Sequence, residues 1–193
     1  GAGNILGAEQ SGQIAAIGFD LYTRLLKEAV QMLRSKQDGA GSEEEQRPEF
    51  SLVQIDLGID ARLPYTYVED LAERLAIYQR IAMTTNVTAI DDMNTELIDR
   101  FGPLPKPAEL LLYTVRARIM SEEANVASIN SRPDRLTLNF KDPTGGARTA
   151  LQKTLGRGIT VGNMQIRMDI DRDDDDWQEE LLWVLQNVVE FRE

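Results

Sequence analysis

Carboxylates are the residues in this chain whose spacing could do chemistry. The acid run from Asp169 to Asp176 (Asp-Ile-Asp-Arg-Asp-Asp-Asp-Asp) resembles a calcium-binding loop in outline. Asp169, Asp171 and Asp173 fall at its first three ligand positions, and Glu180 at its twelfth. Two features oppose that reading. The sixth position, where glycine normally makes the sharp turn, is Asp174, and the residues before the run read as a strand rather than an entering helix. The opposing reading is a helix start: Asp175 or Asp176 caps the last helix, and acids there complement the positive end of its dipole. The first reading would make 169–180 the metal site of a hydrolase or nuclease. The second needs no ligand.

Other charged groups are less specific. Glu96, Asp99 and Arg100 sit at one predicted helix end, and Glu69, Asp70, Glu73 and Arg74 at another helix start. Paired carboxylates can do acid–base work, but at this spacing they read as solvated faces. Arg116 and Arg118 point too far apart around a helix to form one patch and are expected to decorate helix faces. Trp177 and Trp183 bracket the last helix, either as core residues or as a partner contact. The chain has no Cys and no His. That excludes disulfides, zinc sites built on these ligands, and Ser-His or Cys-His catalysis within it. The opening Gly-Ala-Gly-Asn-Ile-Leu-Gly has glycines at 1, 3 and 7, not the GxGxxG spacing of a dinucleotide turn, and no GxxxxGK[ST] loop occurs.

The elements that must position these groups follow from periodicity. Gly1, Gly3, Gly7 and Gly12 shape a loop, after which Ile14, Ile17, Leu21, Leu25 and Ala29 mark an amphipathic helix. Residues 35–49 are polar, acidic and Gly-rich, the signature of a flexible linker. Val53, Ile55, Leu57 and Ile59 alternate as a strand that Pro64 ends. Helices are predicted over 67–83, 86–101 and 107–124, with Gly102-Pro103 stopping the second. Strands follow at 126–129 and 135–140, then a turn at 142–146 and a short helix over 147–155. A hairpin pairs 159–161 with 164–168 across Gly162-Asn163, and a last helix covers 175–191. Helices and strands lie in blocks. The expected class is α+β, with helices packed on a small antiparallel sheet behind an N-terminal helical extension. The expected divisions are 1–36, a linker over 37–49, and a domain over 50–193.

With 193 residues, 42% of them hydrophobic, the chain can bury a real core. No run of about 18 apolar residues and no signal-peptide pattern is present, so a soluble, cytoplasmic protein is expected. The net charge of −11 is unevenly placed: from Asp169 to Glu193 there are ten acids and two bases. Such a balance disfavours an autonomous nucleic-acid binder and permits contact with a basic protein surface.

Two stretches resemble one family. GAGNILGAEQSGQIAAIGFDLYTRLLKEAV, residues 1–30, is similar to the segment after the helicase core of bacterial transcription-repair coupling factors, the end of the translocation motif they share with RecG. DLGIDARLPYTYVEDLAERLAIYQRIA and ELIDRFGPLPKPAELLLYTVRAR resemble the opening of the same family's C-terminal domain. Together they cover 1–30 and 52–118.

The resemblance implies an ATP-driven double-stranded DNA translocase that displaces stalled RNA polymerase and recruits the damage-recognition protein UvrA. Gln10 matches the functional glutamine of the translocation motif. The family's arginine immediately before GAG, and its ATP-binding motifs, lie outside this sequence. ATP and magnesium would therefore belong to the full-length protein, and no cofactor, catalytic residue or membrane contact is expected of this fragment. The implied role of the C-terminal domain is regulatory. It packs on the protein's own N-terminal UvrA-binding module, masking that surface and restraining the motor. Direct DNA contact through the N-terminal hairpin stands as an alternative, as does the metal site at 169–180.

Overall fold

The structure, a computed structural model, describes residues 53–191. The expected N-terminal helical extension, the linker and Gln10 lie outside the described residues. Those residues belong to two compact units, one of Asp60–Leu112 and one of 53–59 with 113–191.

The first unit is helical. It holds α1 (Leu71–Met83), α2 (Val87–Phe101) and the opening of α3 (Lys106–Glu123). Local chemistry sets the boundaries. The Asp70 carboxylate accepts from the Glu73 N–H at 2.7 Å and caps α1. Asn86 does the same for α2, accepting from the Ala89 N–H at 2.8 Å. Gly102 stops α2 at φ +85°, a backbone region closed to most side chains. Sequence periodicity starts α1 at Tyr67, four residues early. The N–H groups of Tyr67 and Val68 donate instead to the Pro64 carbonyl in a separate turn.

The apolar stripes then turn inward: Ile77, Ile81, Ile90, Met93, Leu97, Ala108 and Leu111 are all buried. Three polar side chains brace the turns around them. The Leu63 N–H donates to the Tyr78 hydroxyl at 2.8 Å, and burial raises the pKa of that phenol. Arg74 is only 6% exposed and donates to the Val68 carbonyl at 2.6 Å. It is thus an internal strut and not part of the solvated face expected from its neighbours. The Tyr67 hydroxyl lies 3.0 Å from the Leu97 carbonyl and 2.9 Å from that of Gly102, where it donates at the end of α2. Tyr67→Phe is expected to destabilise this unit by about 1 kcal/mol, read as a lowered denaturant midpoint at unchanged slope.

The second unit is built on a five-stranded sheet. Its strands are β1 (Gln54–Ile55), β2 (Val126–Arg132), β3 (Arg135–Phe140), β4 (Ile159–Val161) and β5 (Gln165–Asp169), in the order β1-β2-β3-β5-β4. The α+β class is as expected. The sheet is antiparallel except at one edge, where β1 pairs with β2 in parallel through Gln54↔Ser128 and Ile55↔Ile129. β1 is shorter than its alternating pattern because the chain turns at once. The Gly58 N–H donates to the Asp56 carboxylate at 3.0 Å, and Gly58 sits at φ +65°.

Alternation puts Leu136, Leu138 and Phe140 of β3, Ile166 and Met168 of β5, and Ile159 and Val161 of β4 on one buried face. The same core takes Leu151 and Leu155 of α4 (Arg148–Leu155). It also takes Trp177, Leu181, Val184, Leu185 and Val188 of α5 (Asp176–Glu190). The side-chain amide of Gln152 completes the ladder of edge strand β4. It donates to the Ile159 carbonyl at 2.9 Å and accepts from the Val161 N–H at 2.9 Å, which blunts the edge. Among the described residues no helix is long and apolar enough to cross a membrane.

Candidate functional site

The solvent-facing side of α2 carries exposed carboxylates. Asp92, Thr95 and Asp99 recur at helical spacing and are all exposed. Along one flank Glu96 and Arg100 join a network with α1. Arg80 donates two hydrogen bonds to the Glu96 carboxylate, at 2.7 and 2.6 Å, in the fork geometry specific to arginine. Arg100 reaches Glu96 at 3.1 Å, pairs with Glu73, and lays its guanidinium over the Phe101 ring at 4.9 Å. On the other flank Ile98 is 44% exposed. Asp92 and Asp99 take no part in the network. The result is a ledge on which, among the described residues, two exposed carboxylates without an ion pair lie beside an exposed apolar side chain. Exposed carboxylates of this kind can attract a basic surface.

The network has a pH signature. The Arg80 hydrogen bonds hold the Glu96 carboxyl down at about 2 against the opposing cost of burial, and Arg100 adds in the same direction. A depressed carboxyl pKa contributes stability that is full above about pH 4.5 and lost as pH falls towards 2. Both partners are substantially exposed, so screening limits the contribution to about 1 kcal/mol. Glu96→Gln is expected to remove that acid-sensitive component, flattening the dependence of stability on pH between about 5 and 2 in parallel denaturation series.

The acid run is arranged differently from a cation loop. Asp169 ends β5 and pairs with Arg135 across the strands at 3.0 Å. The Asp171 carboxylate accepts from the Asp173 N–H, and that of Asp174 from the Asp176 N–H, each at 3.0 Å. Asp173 is exposed. Glu180 lies on α5, where partial burial raises its pKa. Among the described residues no group of three or more carboxylates is gathered closely enough to hold a metal ion. The helix start also differs in detail from the capping expectation. Asp175 occupies the cap position without a side-chain bond to the α5 backbone, its carboxylate accepting from the Gln178 side-chain amide at 3.0 Å. Asp176 and Glu179 supply the first-turn acids.

The one cation within the run organises it. Arg172 donates to the Leu57 carbonyl at 2.8 Å and to the Ser131 hydroxyl, and its guanidinium lies 4.8 Å from the centroid of the Trp177 ring. Arg172 therefore faces the fold while Asp171, Asp173, Asp174, Asp175 and Asp176 face solvent. Trp177 is core at 4% exposure. Trp183 stands outside at 44%. The Tyr113 hydroxyl donates to the Gln178 carbonyl at 2.8 Å, fixing the first turn of α5, and burial raises that phenol's pKa.

From the sequence, Glu73, Glu96, Asp99 and Arg100 read as solvated groups at two separate helix ends. The structure brings Glu73, Arg80, Glu96 and Arg100 together. Arg80 and Asp92 were missed. The recurrence of acids at 92, 96 and 99 was the available signal for Asp92, whereas nothing local marks Arg80 as the partner of Glu96. Arg118, expected on a helix face, is buried, and its pKa is lowered by that burial.

Comparison with known proteins agrees across three measures. Residues 57–150 match the family described as TRCF domain. The transcription-repair-coupling factor of Bacillus subtilis is 29% identical over 202 residues, covering 100% of this chain and 16% of the relative. That of Haemophilus influenzae is 40% identical over 131 residues, covering 68% of this chain and 11% of the relative. The chain thus spans less than a fifth of the length of these relatives. A crystal structure of the C-terminal domain of a transcription-repair coupling factor shares the fold. Its TM-score is 0.63 at 24% identity, over 77% of this chain and 100% of that one. The chain belongs to the transcription-repair-coupling factor family and carries its TRCF domain.

Proposed function

We propose that this chain is the regulatory C-terminal region of a DNA-repair translocase, acting by docking and not by catalysis. Its partner is the N-terminal UvrA-binding module of the same full-length protein. Docking masks the UvrA-binding surface and restrains the motor until RNA polymerase is engaged. The N-terminal residues, Gln10 included, belong to the end of the translocation motif, and ATP and magnesium act elsewhere in the full-length protein. The observation that carries the reading is the α2 ledge. Among the described residues Asp92 and Asp99 are exposed and in no ion pair, Ile98 stands beside them, and Glu96 is bridged by Arg80 and Arg100. The ledge also falls within 57–150, the stretch that matches the TRCF domain.

A basic surface is the complement of such a ledge. Because the partner would be tethered, its effective concentration is high, and a modest, releasable interface suffices. The test is a pull-down of the separately produced N-terminal module by this chain at low salt. Retention that weakens steeply with added salt is the expected result. No retention at tens of micromolar would overturn the reading.

A further inference from the structure

We propose that the outer face of α5 is a second docking surface, one that receives an arginine-bearing segment of a partner protein on Trp183. Asp176, Glu179, Trp183 and Glu190 fall at spacings of three, four and seven, so they share one side of the helix. The opposite side is spent on the core through Trp177, Leu181, Val184, Leu185 and Val188. Trp183 is 44% exposed on a helix that otherwise buries its large apolar residues well. The Asn187 side-chain amide donates to the Trp183 carbonyl at 2.8 Å, adding a local bond to this stretch of the helix.

Charge complementarity selects the occupant. Among the described residues no cation pairs with Asp176, Glu179 or Glu190, and Arg172 is turned into the fold. An exposed indole face between carboxylates suits a guanidinium, which stacks on the ring while its N–H groups donate to Glu179 or Glu190. Lysine offers the same charge without the planar fork. The chain already uses this chemistry internally, with Arg172 over Trp177 and Arg100 over Phe101. The surface is carried by the sheet-bearing unit and lies outside 57–150.

The chain holds two tryptophans, so its nitrogen–proton spectrum carries two indole signals, and Trp183→Phe identifies one of them. The probe is a short peptide bearing arginines at helical spacing, titrated into the full chain alongside its lysine counterpart. The arginine peptide is expected to shift the Trp183 indole and leave that of Trp177 in place. The lysine peptide should bind about threefold more weakly. Glu179→Lys with Glu190→Lys should weaken the arginine peptide about tenfold, and Asp92→Lys with Asp99→Lys should leave it unchanged. Three results would each overturn the proposal: an unmoved Trp183 indole, equal affinity for both peptides, or equal weakening by the two double variants. The last would mark general attraction to an acidic protein.

Discussion

Replacing Arg172 with alanine is expected to destabilise the sheet-bearing unit by about 3 kcal/mol. Hydrogen bonds from a charged donor contribute about 1.5–3 kcal/mol where both partners are shielded. Arg172 makes one to the Leu57 carbonyl and another to the Ser131 hydroxyl, and adds a cation–π contact with Trp177 worth about 0.5–2 kcal/mol. Its partial exposure keeps the total near the lower end of that sum. The substitution also leaves the run from Asp169 to Asp176 without its only cation. Arg172→Lys should recover the charge but not the fork, and so fall between the two. Urea denaturation followed by tryptophan emission reads the difference as a shifted midpoint. A loss below about 1 kcal/mol would show the run is held by other means.

The second large effect concerns docking. Asp92→Lys with Asp99→Lys is expected to weaken binding to the N-terminal UvrA-binding module by at least about thirtyfold at low salt, on the order of 2 kcal/mol. Both side chains are exposed and outside the Glu73–Arg80–Glu96–Arg100 network, so the fold should be unaffected. Reversing their charge places two cations against a surface proposed to be basic, and repulsion adds to the lost attraction. Thermal melts at equal salt separate a docking defect from a folding one. Wild-type affinity in the double variant would remove the ledge from the interface.

Much of the fold was legible because its signals are local. Asp70, Asn86 and Gly102 delimit helices by capping chemistry that depends on a few neighbouring residues. The alternation of Leu136, Leu138 and Phe140 reads directly as a strand with one buried face. What stayed hidden was set by distant partners. β1 joins the sheet in parallel because β2 offers an edge more than seventy residues later. Arg74 looks like one charge among acids until the Val68 carbonyl claims it. Arg172 looks like a lone base in an acid run, yet its partners lie at Leu57 and Ser131, far away in sequence. The same holds for the candidate site. The acids of α2 could be read from their spacing, but which of them are neutralised depends on Arg80 of another helix. Trp177 and Trp183 could not be told apart by type. Their positions relative to Leu181 and Leu185 separate core from surface.

The central claim is that the α2 ledge docks the N-terminal UvrA-binding module. Hydrogen–deuterium exchange of this chain, alone and saturated with that module, tests it most directly. The account predicts slowed exchange concentrated at the exposed turns of α2 between 91 and 101, abolished by half-molar salt, with α5 unchanged. Protection confined to other elements, or none at saturation, would contradict it.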